Sequence, residues 1–191
     1  MINIAILASG SGTNAQRIIE YFKDNQDIKV QTVIVNNQKA GVIERVKSYG
    51  FDCKYFPRES WGNPIEVVEY LKEQEIDLII LAGFLSIIDK SIVELYEGRI
   101  LNIHPSLLPK YGGRGMYGMN IHNAVIAAGE SESGITIHYV TEVIDGGSII
   151  KQFKCKIASD DTPETLASKI QELEFNNFPI IIEQVATLLN K

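Results

Sequence analysis

Two polar side chains, Asn102 and His104, stand at the end of an apolar segment, 99–103, that predicts a β-strand. Because they are two residues apart, both side chains can point to the same side of that strand. An amide next to an imidazole supplies hydrogen-bond donors that can hold a developing oxyanion. The alternative is a polar strand end with a satisfied histidine, but the loop that follows, from Pro105 to Pro109, restricts the backbone and favours a functional site.

A second candidate is Asp145, which precedes Gly146 and Gly147. By itself this tripeptide is typical of a tight turn between two strands. If the turn folds over the edge of the sheet, however, the carboxylate can lie beside His104. A carboxylate near an imidazole favours the charged imidazolium, which would suit proton transfer.

The third candidate is the Gly-rich segment 9–14, Ser-Gly-Ser-Gly-Thr-Asn, between an apolar strand and a helix. Backbone N–H groups in such a turn, followed by a helix N-terminus, form an anion site. The pattern Gly10-x-Gly12-x-x-Ala15 also matches the dinucleotide-binding fingerprint loosely. A dinucleotide site needs an acidic residue at the end of the second strand, where this chain has Asn36. We therefore favour a phosphate or mononucleotide site over a dinucleotide site or a purely structural turn.

Composition narrows the remaining classes of function. A net charge of −6 disfavours a nucleic-acid or membrane partner, and Cys53 and Cys155 are too few for a disulfide framework. The histidines outside the strand end, His122 and His138, lack the spacing of a metal-binding motif, so we expect no metal. We found no secretory or membrane-spanning segment and expect a cytoplasmic protein.

These residues need a scaffold, and the apolar periodicity predicts an α/β one. The 191 residues of the chain fit one domain, and its 29 Ile and 12 Val suit strands that are buried on both faces. We expect a single Rossmann-like domain with a mostly parallel twisted sheet, helices on both faces and an antiparallel C-terminal strand pair. Strands are predicted at 2–8, 29–35, 52–56, 77–81, 99–103, 134–140 and 148–155. Helices are predicted at 14–22, 41–49, from 63, at 121–128 and from 162. Asn63 would cap the third helix, and the final helix would be interrupted near Pro179.

Taken together, the motifs resemble those of the folate-dependent phosphoribosylglycinamide formyltransferases of purine synthesis. The resemblance covers residues 1–179. It rests on four segments in the family's order and spacing: Ser9–Asn14, Leu81–Phe84, Asn102–Pro109 and Asp145–Gly147.

The resemblance implies a reaction. The amine of phosphoribosylglycinamide attacks the formyl carbon of 10-formyltetrahydrofolate, a tetrahedral intermediate forms, and tetrahydrofolate leaves, which is a step of de novo purine (IMP) biosynthesis. The resemblance assigns the binding of this intermediate to Asn102 and His104. It assigns to Asp145 the pairing with His104 and the organisation of proton transfer. No metal and no covalent enzyme intermediate are implied.

The resemblance also implies binding residues. The ribonucleotide would contact Gly12, Thr13 and Asn14 through its phosphate and Glu174 near its ribose. The folate would contact Leu85, Ser86, Ile87 and Ile88, together with Asn102. The domain would span 1–191, with a nucleotide- and phosphate-binding half, 1–100, and a catalytic and folate-binding half, 101–191.

Two segments depart from the family pattern. The loop 110–119 is longer than in the shorter family pattern and resembles a longer-loop branch, so Arg114 could reach the phosphate or the glutamate tail of folate. The family's folate-contacting arginine has only Arg58 as its nearest counterpart.

Alternative functions remain open from the sequence. A tRNA formyltransferase would carry a further basic domain, and a formyltetrahydrofolate hydrolase would carry an N-terminal regulatory domain. A non-catalytic nucleotide-binding module would not need Asn102, His104 and Asp145 together. A nicotinamide-dependent oxidoreductase would need an acidic residue at position 36, where this chain has Asn36. We expect small-molecule substrates, no nucleic-acid or membrane partner, and a monomer or homodimer.

Overall fold

Strands alternate with helices along residues 1–189, which are the residues that the computed structural model describes. The strands are β1 (Ile2–Ala8), β2 (Ile28–Val35), β3 (Lys54–Tyr55), β4 (Leu78–Leu81), β5 (Ile100–His104), β6 (Glu132–Tyr139) and β7 (Ile149–Lys156). The helices are α1 (Thr13–Phe22), α2 (Val42–Lys47), α3 (Ile65–Glu73), α4 (Lys90–Leu95), α5 (Met119–Ala127) and α6 (Pro163–Leu189), with a 3₁₀ turn at Arg58–Trp61.

One sheet contains all seven strands in the order β3-β2-β1-β4-β5-β6-β7. Strands β1 to β5 run parallel, whereas β6 pairs antiparallel with both β5 and β7. The predicted α/β fold with a mostly parallel sheet and an antiparallel C-terminal pair is therefore confirmed. The strand order reverses between β1 and β4, and in open α/β sheets ligands bind at the carboxyl ends of the strands beside such a reversal.

Apolar side chains cover both faces of the sheet. On one face the strands pack against α1, α2, α5 and α6, and Phe178 of α6 is fully buried there. The other face packs against α3, α4 and a group of aromatic residues that includes Trp61 and Phe84. The Ile- and Val-rich strands thus lie between two cores, as parallel strands covered on both sides require.

Helix α6 continues through Pro179, so the predicted interruption is wrong. A proline has no N–H to donate to the carbonyl four residues earlier, which here belongs to Phe175. Arg17 of α1 donates its Nε–H to that carbonyl oxygen at 3.2 Å. The acceptor left free by the proline is satisfied from a neighbouring helix, and Pro179 is itself buried in the core.

Four local expectations also differ from the structure. Helix α4 was not predicted; its N-terminus is capped by Asp89, whose carboxylate accepts from the Ser91 N–H at 2.9 Å. Strand β3 has only two residues, and α3 begins after Pro64 without a side-chain cap from Asn63. The Asp145 turn belongs to a longer connection, 140–148, between β6 and β7. No helix within residues 1–189 is long and apolar enough to cross a membrane.

Candidate active site

A cavity of about 600 Å³ opens at the carboxyl ends of β1, β4 and β5. The sheet order explains its position, because loops after β1 and β4 leave in opposite directions where the strand order reverses. Its walls come mainly from six parts of the chain, namely the Gly-rich loop, residues 81–88, the end of β5, the segments 113–118 and 140–145, and the first half of α6. Most of the residues implied by the resemblance therefore face one space.

His104 and Asp145 lie side by side in this cavity. The distance from His104 Nδ1 to Asp145 Oδ2 is 3.6 Å, and both side chains are almost completely buried. His104 Nε2 lies 2.8 Å from the carbonyl oxygen of Tyr111, so Nε2 carries a proton and donates it. The other ring nitrogen, Nδ1, therefore faces the carboxylate and is the position that can gain or lose a proton.

A second histidine, His138, completes the cluster. Its Nδ1 donates to the Tyr139 carbonyl oxygen at 2.8 Å, and its Nε2 accepts from Asn102 Nδ2 at 3.1 Å and lies 3.7 Å from Asp145 Oδ1. Burial lowers the pKa of His138, against the hydrogen bond to Tyr139 and the charge of Asp145, which both raise it. The neutral ring is thus an acceptor that orients the Asn102 amide.

Sequence reasoning weighed His138 only as a possible metal ligand and missed this contact. In the antiparallel pair of β5 and β6, His138 is the register partner of Asn102. Directly opposed residues project from the same face of a sheet, so the pairing brings the imidazole to the amide. The register of β6 against β5 would have been the signal, and the sequence alone does not define it.

The glycines after Asp145 let the connection 140–148 fold over the edge of the sheet. A Cβ at Gly147 would lie 1.8 Å from the carbonyl oxygen of Tyr139, so only glycine allows this approach. Asp145 itself has a left-handed backbone with φ of 54°. Its carboxylate accepts from the Gly113 N–H at 2.8 Å, which ties the loop after β5 to the same group that faces His104.

The Gly-rich loop forms the opposite end of the cavity. Gly12 begins α1 with a left-handed backbone, φ 77°, and a Cβ there would lie 2.4 Å from Val42 of α2. Within residues 1–189 no side-chain hydrogen bond caps the helix, so its first N–H groups remain available to a ligand. A helix N-terminus with free N–H groups attracts anions.

Glu174 of α6 approaches this loop. Asn14 Nδ2 donates to Glu174 Oε2 at 2.8 Å, and Gln171 Nε2 lies 3.4 Å from the hydroxyl of Thr13. Removal from water raises the pKa of Glu174 to about 7, although the Asn14 hydrogen bond opposes that rise. The structure therefore brings Thr13, Asn14 and Glu174 together, as the family resemblance implies.

The segment 85–88 lines the other side of the cavity and presents exposed apolar side chains. Leu85 is 48% and Ile87 is 58% exposed, whereas Ile88 is buried. Two hydrogen bonds fix the segment from below: Ser9 Oγ accepts from the Leu85 N–H at 2.8 Å, and Asn36 Nδ2 donates to Ser86 Oγ at 2.7 Å. Asn36 therefore supports this wall.

The two arginines singled out in the sequence differ in their position relative to the cavity. Arg114 lines the cavity, whereas Arg58 is exposed on the 3₁₀ turn and lies outside the cavity lining. Among residues 1–189, no three His, Cys, Asp or Glu side chains are grouped as a metal ion would require.

Comparison with known proteins supports the same interpretation as the geometry. Residues 2–182 match the family model described as formyl transferase. Phosphoribosylglycinamide formyltransferase of Haemophilus influenzae is 37% identical, with 96% of this chain and 86% of that protein aligned. The enzyme of the same name from Bacillus subtilis is 35% identical, with 100% and 98% aligned.

A solved structure shows how far the likeness extends in three dimensions. The crystal structure of phosphoribosylglycinamide formyltransferase from Bacillus halodurans superposes with a TM-score of 0.86 at 39% identity. The superposition covers 99% of this chain and 96% of that one. The likeness therefore extends over nearly the whole of both chains.

Proposed function

The chain belongs to the formyl transferase family, and we propose that it transfers the formyl group of 10-formyltetrahydrofolate to the amine of phosphoribosylglycinamide. This reaction is a step of purine biosynthesis and yields the N-formyl product and tetrahydrofolate. The observation that carries the proposal is the cluster of Asn102, His104 and Asp145, which faces one cavity together with the Gly-rich loop.

Asn102 and His104 would stabilise the tetrahedral intermediate. When the amine attacks the formyl carbon, negative charge develops on the formyl oxygen. The Asn102 amide is held by His138 before the substrate arrives, so little reorganisation is needed when that charge forms. An imidazolium at His104 would add a positive charge next to the same oxygen.

His104 and Asp145 would also move the proton of the reaction. The attacking amine must lose a proton, and the leaving nitrogen of tetrahydrofolate must gain one. Nδ1 of His104 is the free ring nitrogen, and Asp145 lies 3.6 Å away to stabilise the imidazolium that forms. Because the proton taken up from the amine can be returned to the leaving nitrogen, the cycle needs no other acid or base.

The two substrates would occupy opposite walls of the cavity. The Gly-rich loop at Gly12, Thr13 and Asn14 offers N–H groups to the phosphate, and Glu174 would accept from the ribose hydroxyls. The segment Leu85–Ile88 offers an apolar surface and fixed backbone groups to the pteridine ring. The formyl group would then meet the amine beside Asn102 and His104.

The test is a formyl-transfer assay with the purified full chain, phosphoribosylglycinamide and 10-formyltetrahydrofolate. We expect stoichiometric formation of N-formyl product and tetrahydrofolate. Two parallel assays replace the ribonucleotide with methionyl-tRNA or with water alone. Faster formylation of the tRNA, or hydrolysis of the folate at the same rate without an acceptor amine, would contradict the proposal.

We also propose that the chain works in the cytoplasm on these small molecules as a monomer or homodimer, without a nucleic-acid or membrane partner. The net charge of −6 and the two unpaired cysteines support this. Residues 1–100 would supply the phosphate site and 101–191 most of the catalytic groups; 190 and 191 lie outside the described residues. Light scattering of the purified chain would give its oligomeric state.

A further inference from the structure

The residues that line the cavity carry more negative than positive charge. Three carboxylates line it, those of Glu142, Asp145 and Glu174, and among its lining residues Arg114 alone carries a permanent positive charge. The ribonucleotide brings a phosphate monoester, which carries a charge of about −1.5 to −2 near pH 7. Backbone N–H groups of the Gly-rich loop can hydrogen-bond that phosphate but do not neutralise it.

Arg114 is available for such a ligand. Its side chain is exposed at the mouth of the cavity, and no ion pair within residues 1–189 engages it. Arg45, the guanidinium nearest to the Gly-rich loop along α2, is already occupied, since it donates to the Ser11 carbonyl oxygen and to Gln16 Oε1, both at 2.8 Å. Arg45 also lies outside the cavity lining.

The backbone holds Arg114 in a defined position. The Met116 N–H donates to the Gly113 carbonyl oxygen at 3.1 Å, which closes a turn with Arg114 at its first corner and Gly115, φ 86°, at its second. Before the turn, the Gly113 N–H is bound to Asp145; after it, Asn120 Nδ2 donates to the Gly115 carbonyl oxygen at 3.1 Å. Only the side chain of Arg114 would need to be ordered by a ligand.

The packing of the turn selects one side of the cavity. Met116 packs against the core on the face of the sheet that α1, α2, α5 and α6 cover, and α1 and α6 carry Asn14 and Glu174. In contrast, Phe84 and Ile88, which flank the proposed folate wall, belong to the core on the opposite face of the sheet. The guanidinium therefore starts from the ribonucleotide side.

We propose that Arg114 binds the phosphate of the ribonucleotide from the mouth of the cavity. The phosphate would then lie between the guanidinium and the N–H groups of Gly12, Thr13 and Asn14. This inference rests on the proposed function, which assigns the phosphate to that loop. A guanidinium can bind two phosphate oxygens at once, so it would fix the direction of the phosphate as well as neutralise it. The residue would act in binding, since it contacts the phosphate equally before and during the chemical step.

The test compares Arg114→Ala and Arg114→Lys with Lys151→Ala, which removes one exposed positive charge on β7 away from the cavity. Each is assayed with phosphoribosylglycinamide and with the corresponding riboside, which lacks the phosphate. For Arg114→Ala we expect KM for the ribonucleotide to rise roughly 10- to 100-fold while kcat stays within about 3-fold. Arg114→Lys should restore part of the affinity, and Lys151→Ala should match the unsubstituted chain.

The riboside decides what Arg114 recognises. We expect Arg114→Ala to leave kcat/KM for the riboside unchanged, because the group that the arginine binds is missing. An equal loss with the riboside would overturn the proposal, as would a KM increase confined to folates that carry a glutamate tail. If the unsubstituted chain formylates the ribonucleotide and Arg114→Ala does so with the same KM, this inference fails and the proposed function stands; an inactive unsubstituted chain would refute the function itself.

Discussion

The Gly-rich loop and the cluster around His104 are built in opposite ways. The loop consists of six consecutive residues, and what it offers to a ligand is backbone, in a conformation that Gly12 makes possible. The cluster takes Asn102 and His104 from β5, His138 from β6 and Asp145 from the connection after it, and what it offers is side chains. In the proposed function, binding would depend on backbone shape at one end of the cavity, and chemistry would depend on side-chain charge at the other.

This difference predicts how the two regions respond to substitution. In the cluster, Asn102, His104 and His138 belong to a sheet buried on both faces, and the backbone around Asp145 is fixed by Gly147, so a change of side chain should alter the rate while the fold persists. In the loop, a methyl group added at Gly12 should disturb the backbone and the packing of α2, so stability should suffer before chemistry does.

The largest expected effect is that of Asp145→Asn. The amide oxygen can still accept from the Gly113 N–H, so the loop stays attached while the negative charge beside His104 disappears. We expect kcat to fall roughly 10³-fold, since the imidazolium loses its counter-charge in a water-poor site. Steady-state kinetics of formyl transfer measure this, together with the melting temperature.

The matched control is Glu142→Gln, which removes another carboxylate from the same cavity. Glu142 is exposed and pairs with Lys90 at 3.1 Å, away from His104. Its loss should change kcat by no more than about 3-fold. If the two variants lose similar activity, general electrostatics of the cavity, and not the pairing of Asp145 with His104, governs the rate.

The opposite response is expected of Gly12→Ala. The new Cβ would lie 2.4 Å from Val42 on a backbone with φ of 77°. The left-handed conformation and the overpacking together should lower the free energy of unfolding by about 2–4 kcal/mol. Chemical denaturation measures the loss, and the KM for the ribonucleotide should rise because α1 begins in the wrong place.

Gly10→Ala is the control within the same loop. Gly10 has no positive φ, and a Cβ there meets no atom within 4 Å. We expect its stability to remain within about 0.5 kcal/mol of the unsubstituted chain. Similar losses for both glycines would mean that the loop is generally sensitive, and the argument from the close approach to Val42 would not hold.

The same contrast explains what the sequence could predict. The Gly-rich loop, most of the alternation of strands and helices, and the spacing of Asn102 and His104 are local patterns, and the structure has them near the predicted positions, although α4 was not predicted and β3 is shorter than predicted. His138 joins the cluster only through its register partner Asn102, and register depends on long-range pairing. Likewise α6 passes Pro179 because Arg17, far away in the chain, satisfies the carbonyl of Phe175.

A smaller effect is expected from Glu174→Gln, and it depends on pH. The pKa of Glu174 rises from 4.5 to about 7 on folding, so the folded chain holds this proton at pH values where the unfolded chain has released it. Stability is therefore lost as the pH rises from about 4.5 to 7. The glutamine variant lacks this loss and should be more stable above pH 7 by up to about 3 kcal/mol.

Denaturation curves at several pH values measure the difference between this variant and the unsubstituted chain. We expect no difference near pH 4 and a plateau above pH 7, a profile set by the carboxyl group alone. Glu172→Gln, on the exposed side of the same helix, is the control and should show no such profile. A constant difference at every pH would mean that packing, not ionisation, distinguishes the variant.

The smallest predicted effect on kcat is that of a substitution at His138, the member of the cluster that lies on β6. His138→Phe keeps a buried ring but removes the acceptor that orients Asn102 Nδ2. The amide would be left with an unpaired donor and more freedom, so we expect kcat to fall roughly 10-fold, well short of the loss for Asp145→Asn. His122→Phe is the control, because His122 is buried and lines the same cavity, yet its Nδ1 has no partner in residues 1–189. If both phenylalanine variants lose equal activity, the imidazole of His138 acts only as packing. A larger loss for His138→Phe means that β6 contributes a positioning residue, which the local motifs on β5 do not reveal.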